Sequence, residues 1–151
     1  MASIGDICNR EVITTSADTS VLVAAQLLRR HHVGCIVICD QLDGNRRIPL
    51  GIVTDRDIVV EVVAPEARAD VITVGDIMGR ELVTARESDS VVQTLDAMRF
   101  KGVRRMPIVT GDGQLVGIVA IDDLLGHVAD ELSDIAKTIT RERSREAATR
   151  K

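Results

Sequence analysis

Residues 4–14 read IGDICNREVIT, and residues 74–84 read VGDIMGRELVT. The second stretch restates the first at an offset of 70. Holding that offset from Gly5 to Ile38 gives identities at Gly5, Asp6, Ile7, Arg10, Glu11, Thr14, Ser20, Val21, Arg29, Val33 and Ile38. That is eleven identities, against about two expected by chance at average residue usage. The register then slips. Gly51-Ile52-Val53 matches Gly117-Ile118-Val119 at an offset of 66, and Asp57 matches Asp123. The first copy therefore carries four extra residues (70 − 66) between Asp40 and Gly51. The segment QLDGNRRIP there is polar with Gly and Pro, and a surface insertion of that kind is cheap. An internal duplication is the first thing this chain shows.

Each copy predicts one order of elements. Glu11–Thr15 and Glu81–Thr84 are short β-type runs. Asp18-Thr19-Ser20 and Ser88-Asp89-Ser90 follow, and these residue types open helices. Val21, Ala24, Ala25 and Leu28 then recur at helical spacing, as do Val91, Leu95 and Met98. Val33–Cys39 and Met106–Val109 are candidate buried strands. Thr110-Gly111-Asp112-Gly113 is a hairpin turn. Leu50–Val53 and Leu115–Val119 form a third strand, and a second helix follows, ending in the first copy before Pro65. The fold class is mixed α+β, a β-α-β-β-α unit made twice. A unit of about 55 residues is marginal alone, so the copies should pack on each other about a pseudo-twofold axis. The divisions are a first repeat at 1–64, a linker at 65–73, a second repeat at 74–128 and a C-terminal helical tail at 129–151.

Composition narrows the function. The 151 residues are 45% hydrophobic and 28% charged, which are ordinary globular values. Nineteen basic against 23 acidic residues leave a net charge of −4, which argues against a dedicated nucleic-acid binder. Phe100 is the sole aromatic residue, so bases have no stacking platform. Cys8, Cys35 and Cys39 are too few for a disulfide scaffold and read as reduced thiols. No apolar run reaches membrane-spanning length, and the N-terminus lacks a signal-peptide pattern. The expectation is a soluble cytoplasmic protein. His31, His32 and His127 make no zinc-like spacing with the cysteines, so no metal is expected. No nucleophile has an evident base and orienting group in sequence, so no catalytic residue is named.

The Gly-Ile-Val-Thr-Asp-Arg-Asp run at residues 51–57, VGCIVICD (33–40), VRRMPIVTGDGQLVGIVAIDDLL (103–125) and the GDI that opens each copy carry a specific likeness. With the duplication and element order, the chain resembles the CBS-domain pair, or Bateman module, of stand-alone prokaryotic signal-transduction type. The likeness covers residues 4 to about 128. It implies a non-catalytic regulatory module that binds an adenosine-containing compound between the repeats and signals by a conformational shift. AMP, ATP and NAD head that class, with ADP and S-adenosylmethionine behind them. No resident cofactor is implied. It also implies a homodimer and a separate regulated protein.

Within that likeness Asp57 would bond the ribose hydroxyls and Thr54 a phosphate. An Asp carboxylate can take two hydroxyls at once, and a helix start offers free N–H groups to an anion. The same Thr-x-x-Asp spacing is also a helix capping box, and spacing alone leaves both readings open. Asp123 holds the equivalent place in the second copy, where Ala120 replaces the threonine, so a site there should be weaker. Arg104 and Arg105 stand where the first copy has Gly34 and Cys35. In the family, basic residues here often reach phosphate; a solvated face or a dimer salt bridge is the plain alternative. Thr14, Thr84 and Thr19 could offer further hydroxyls to the ligand, although capping accounts for Thr19 as well.

In the tail, Leu125, Val128, Leu132, Ile135 and Ile139 are spaced 3, 4, 3, 4, a heptad seam. Acidic residues precede basic ones along it, which suits the helix dipole. A packed extension across a dimer interface is the first reading. A helix that docks another protein is the second, and a nucleic-acid contact the third. An oligomerisation module with an empty cleft is therefore the alternative function.

Overall fold

The computed structural model describes residues 2–42 and 45–150. In chain order the elements are α1 (Ile4–Ile7), β1 (Thr14–Thr15), α2 (Val21–His31), β2 (Cys35–Leu42), β3 (Arg46–Thr54) and α3 (Asp55–Ile58). The second half repeats them as α4 (Val74–Ile77), β4 (Ala85–Arg86), α5 (Val91–Lys101), β5 (Arg105–Val109), β6 (Leu115–Ala120) and α6 (Ile121–Thr149). Each copy builds a three-stranded sheet, ordered β1-β2-β3 and β4-β5-β6. The first pair in each sheet is parallel and the second antiparallel. A bulge falls between Ile38 and Cys39 and, in the same place, between Ile108 and Val109. This is the mixed α+β architecture that the duplication implies.

Capping residues set the helix starts. Ser20 Oγ accepts from Val23 N (3.3 Å) and Ser90 Oγ from Gln93 N (3.2 Å), satisfying N–H groups that have no intrahelical partner. At the other end His32 (φ 52°) and Gly102 (φ 67°) close α2 and α5 in the left-handed conformation. After α3 the backbone widens into a π turn over Val59–Val63, which stops before Pro65.

Three details depart from the sequence reading. Each copy opens on a four-residue helix, α1 and α4, that the β-α-β-β-α order did not contain. The first strands are two residues long, Thr14–Thr15 and Ala85–Arg86, rather than Glu11–Thr15 and Glu81–Thr84. The backbone before β1 is engaged elsewhere: Asn9 exchanges both hydrogen bonds with Ile118 of the other copy, at 2.9 Å each. The four-residue insertion is also no plain loop. β2 and β3 run on through it to Leu42 and from Arg46, so it lengthens a hairpin. Arg46 at its end pairs with Asp112 in the opposite turn (2.9 Å).

Each opening helix serves the other copy's core. Ile4 and Cys8 pack with Ala85, Met98, Met106, Ile108, Val119 and Leu124. Reciprocally, Val74 packs with Val21, Ala24, Leu28, Ile36, Ile38, Val53 and Val62. Ile4 N donates to Asp89 O (2.8 Å) and Gly5 N to Glu87 O (3.0 Å); Val74 N donates to Thr19 O (2.8 Å) and Gly75 N to Ala17 O (2.9 Å). The contact is close enough to demand glycine. A Cβ on Gly5 would stand 2.8 Å from Glu87 O, and one on Gly75 2.7 Å from Ala17 O. A third cluster, Val37, Cys39 and Leu115 with Val12, Ile52 and Ile118 at its edge, joins the two sheets.

Candidate functional site

β3 and α3 of the first copy face the loops before β4 and β5 of the second, and a cavity of about 620 Å³ lies between them. That volume suits a ligand of small-molecule size. Thr54, Asp55, Arg56 and Asp57 line one wall, and Gly102, Val103, Arg104 and Arg105 another. Ile52, Leu82 and Val83 supply apolar surface.

Thr54 and Asp57 form a complete capping box. Asp57 Oδ2 accepts from Thr54 N (2.8 Å), and Thr54 Oγ1 accepts from Asp57 N (3.1 Å). Capping takes one carboxylate oxygen, while the side chains still border the cavity. The two readings of Thr-x-x-Asp are thus compatible: the cap holds the carboxylate in place, and Oδ1 has lone pairs to offer. Asp55 Oδ1 accepts from Arg56 N (2.9 Å).

The basic wall comes from the second copy. Arg104 is exposed and stands 3.9 Å from Asp122, too far for a strong pair. The Arg105 side chain reaches across the interface to the first copy. A Cβ built on Gly34 would meet its Nη2 at 3.1 Å, so the glycine leaves room for the guanidinium. The Cys35 thiol beside it is pushed up by burial, against the opposing pull of the Arg105 charge. Glu81 is held by Lys101 (2.6 Å), whose hydrogen bond and charge keep its carboxyl below the usual range.

The structure brings Thr54, Asp57, Arg104 and Arg105 onto one cavity. The other candidates lie elsewhere. Asp123 caps α6 by accepting from Ala120 N (2.8 Å), the counterpart of the Asp57 bond without a hydroxyl in return. Thr14 sits in β1 opposite Val37. Thr19 does not cap α2, since Ser20 does; its hydroxyl bonds those of Thr15 (2.6 Å) and Ser16 (3.2 Å). Thr84 lines a separate polar hollow of about 470 Å³ with Arg86, Asp89 and Thr110. The sequence reading missed the 79–83 segment, Gly79, Glu81, Leu82 and Val83 among the lining. No sequence signal marked it: Glu81–Thr84 has strand-type residues, and in the structure none of it lies in a strand. Among the described residues no three His, Cys, Asp or Glu side chains form a metal-binding group, and no helix is long and apolar enough to cross a membrane.

Two copies of one small α+β unit, crossed at their first helices and enclosing a cleft, define the class, and comparison with known proteins agrees. The CBS domain model matches residues 4–64 and again 74–130. The chain belongs to the CBS domain family and carries two such domains in tandem. It is 34% identical over 139 residues to the CBS domain-containing protein YhcV of Bacillus subtilis, covering 91% of this chain and 94% of that one. It is 37% identical over 123 residues to the uncharacterized protein MK0525 of Methanopyrus kandleri, covering 82% of this chain but 61% of the relative's length. Among solved structures, the CBS domain pair of protein MJ0100, in complex with 5-methylthioadenosine and S-adenosyl-L-methionine, superposes with a TM-score of 0.74 at 26% identity. That match covers 87% of this chain and 98% of the other.

Proposed function

We propose that this chain is a non-catalytic regulatory module that binds an adenosine-containing ligand in the cleft of about 620 Å³ and signals through the relative placement of its two domains. The observation that carries it is the composite lining: Thr54 and Asp57 from one domain, Arg104 and Arg105 from the other. Asp57 Oδ1 takes the ribose hydroxyls, Thr54 and the arginines take phosphate, and Ile52, Leu82 and Val83 cover the base. A ligand gripping both domains favours one arrangement of them, and a partner that prefers that arrangement reads it. The paired arginines favour AMP, ATP or NAD over an uncharged nucleoside. The bound compounds of the MJ0100 pair support the adenosine class. The module works in the cytoplasm, which its three unpaired cysteines support, on a separate regulated protein.

The test is a dye-reported thermal shift against a panel of adenosine compounds, with Asp57→Asn as the variant. Asparagine keeps an oxygen for the Thr54 N–H, whereas alanine would remove the cap with the ligand contact. A ligand at 100 times its Kd adds about 2.7 kcal/mol to stability. Asp57→Asn should cost roughly 10- to 100-fold in affinity, the scale of hydrogen bonds to a charged group. A panel with no shift, or equal shifts in both proteins, overturns the reading. The exposed seam of α6 favours a second reading, an oligomerisation module whose cleft stays empty. Removing residues 130–151 separates the two: the ligand response survives if the cleft is the working part.

A further inference from the structure

The lining of the cleft is balanced in charge. Among its described residues, Asp55, Asp57 and Glu81 bring three carboxylates, and Arg56, Arg104 and Arg105 bring three guanidiniums. Two of the carboxylates hold backbone: Asp57 accepts from Thr54 N (2.8 Å) and Asp55 from Arg56 N (2.9 Å). Glu81 instead holds a cation, the Lys101 ammonium, at 2.6 Å. Lys101 is the last residue of α5, and the chain after it, Gly102 to Arg105, is the basic wall of the cleft. A fourth cation thus stands at the rim, tied to a carboxylate from the 79–83 segment. A lysine ammonium sits on a flexible four-carbon stem, so a stronger anion nearby can draw it over. The pair is not a general feature of the repeat. Glu11 holds the place of Glu81 in the first copy, but His31 holds that of Lys101.

Resting on the reading that the cleft binds an adenosine phosphate, we propose that Glu81 is its specificity-determining residue: by holding Lys101 off the ligand, it selects a single phosphate over a triphosphate. Each phosphate added to the ligand adds negative charge. Arg104 and Arg105 meet the charge of the first. The cation that would meet the rest is Lys101, and Glu81 already neutralises it. Glu81 also sets its own charge against a longer chain, and discrimination rests on such repulsion as much as on attraction. The Lys101 hydrogen bond and charge keep the Glu81 carboxyl below the usual range, so it is ionised at neutral pH. The Lys101 and Glu81 side chains are 40% and 72% exposed, so the pair adds little to the stability of the fold. Its placement on the cleft gives it a different use.

Glu81→Gln removes the repulsion and frees the lysine. The test is equilibrium binding of AMP and ATP, at low salt and without divalent cations. It compares the unaltered chain, Glu81→Gln, and Glu81→Gln combined with Lys101→Met. The unaltered chain should bind AMP more tightly than ATP. Glu81→Gln should raise ATP affinity relative to AMP by about three- to tenfold, the scale of one partly screened charge contact. Most of that gain should vanish when Lys101→Met is added. Both positions are exposed, so melting temperatures without ligand should stay level. Tighter binding of ATP than AMP by the unaltered chain, an unchanged ratio in Glu81→Gln, or a gain that survives the loss of Lys101 overturns this proposal and leaves the cleft reading in place. Failure of every adenosine compound to bind overturns both.

Discussion

His32 and Gly102 do the same work at the ends of α2 and α5, and only one of them is suited to it. Both lie in the left-handed region, where a Cβ crowds the following carbonyl. The first copy bears that strain at an exposed position whose imidazole the turn does not need. His32→Gly should therefore raise stability by about 0.5–1 kcal/mol, measured by chemical denaturation, less a small loss to the freer unfolded chain. Cys39 illustrates burial instead. Its thiol is pushed up to about 11, mainly by desolvation against the weaker pull of the Arg47 charge. At about pH 8 it should remain protonated and react with a thiol reagent far more slowly than the same residue in denaturant. Fast labelling of native Cys39, located by mass spectrometry, would contradict that burial.

At the scale of the element, α1 and α4 are among the shortest helices and are the most consequential. Each is four residues long, far below what stands alone in water. Asp76 accepts from Thr73 N (2.9 Å) and Asp6 from Ser3 N (2.9 Å), closing the first turn. These bonds hold both carboxyls below the usual range, the backbone bond leading for Asp76 and the Ser3 hydroxyl for Asp6. A carboxyl lowered in the folded state stabilises it above the unfolded value, near pH 4, and that contribution fades as pH falls through the folded value. Melting temperature followed from about pH 6 down to about pH 2 should thus fall less steeply in Asp76→Asn than in the unaltered chain. Equal acid slopes would remove the capping argument.

For the whole molecule, the crossed opening helices make the two domains one folding unit. Ile4 lies near the N-terminus yet is fully buried, in the core of the second domain. Ile4→Ala should cost about 2–5 kcal/mol, the range for truncating a buried aliphatic side chain. Gly75→Ala should cost about 1–3 kcal/mol, because its Cβ would meet the Ala17 carbonyl, which is backbone and yields little. If the domains are coupled in this way, both variants should unfold in a single transition seen alike by circular dichroism and by dye binding. Separate transitions, one domain lost before the other, would show that the exchange does not couple them.

The sequence alone determined the duplication, the order of elements after each opening helix and most of their positions. These follow from local rules: Ser20 and Ser90 cap helices wherever they stand, Thr110-Gly111-Asp112-Gly113 turns, and the apolar spacing of α2 needs no partner to be read. Through the family likeness it also marked Thr54 and Asp57, and through the contrast with Gly34 and Cys35 it marked Arg104 and Arg105; Asp123, Thr14, Thr84 and Thr19 were marked with them and lie off the cavity. It could not say that residues of opposite copies share one cavity, because periodicity describes the face of an element and not what lies across from it. Nor did it show α1 in the second core and α4 in the first. GDI reads as the start of its own repeat, and only the 2.8 Å bonds from Ile4 to Asp89 and from Val74 to Thr19 reveal the exchange. Glu81–Thr84 was read as strand on its residue types; tertiary structure made Glu81, Leu82 and Val83 part of the wall of a cleft, which residue type alone does not encode.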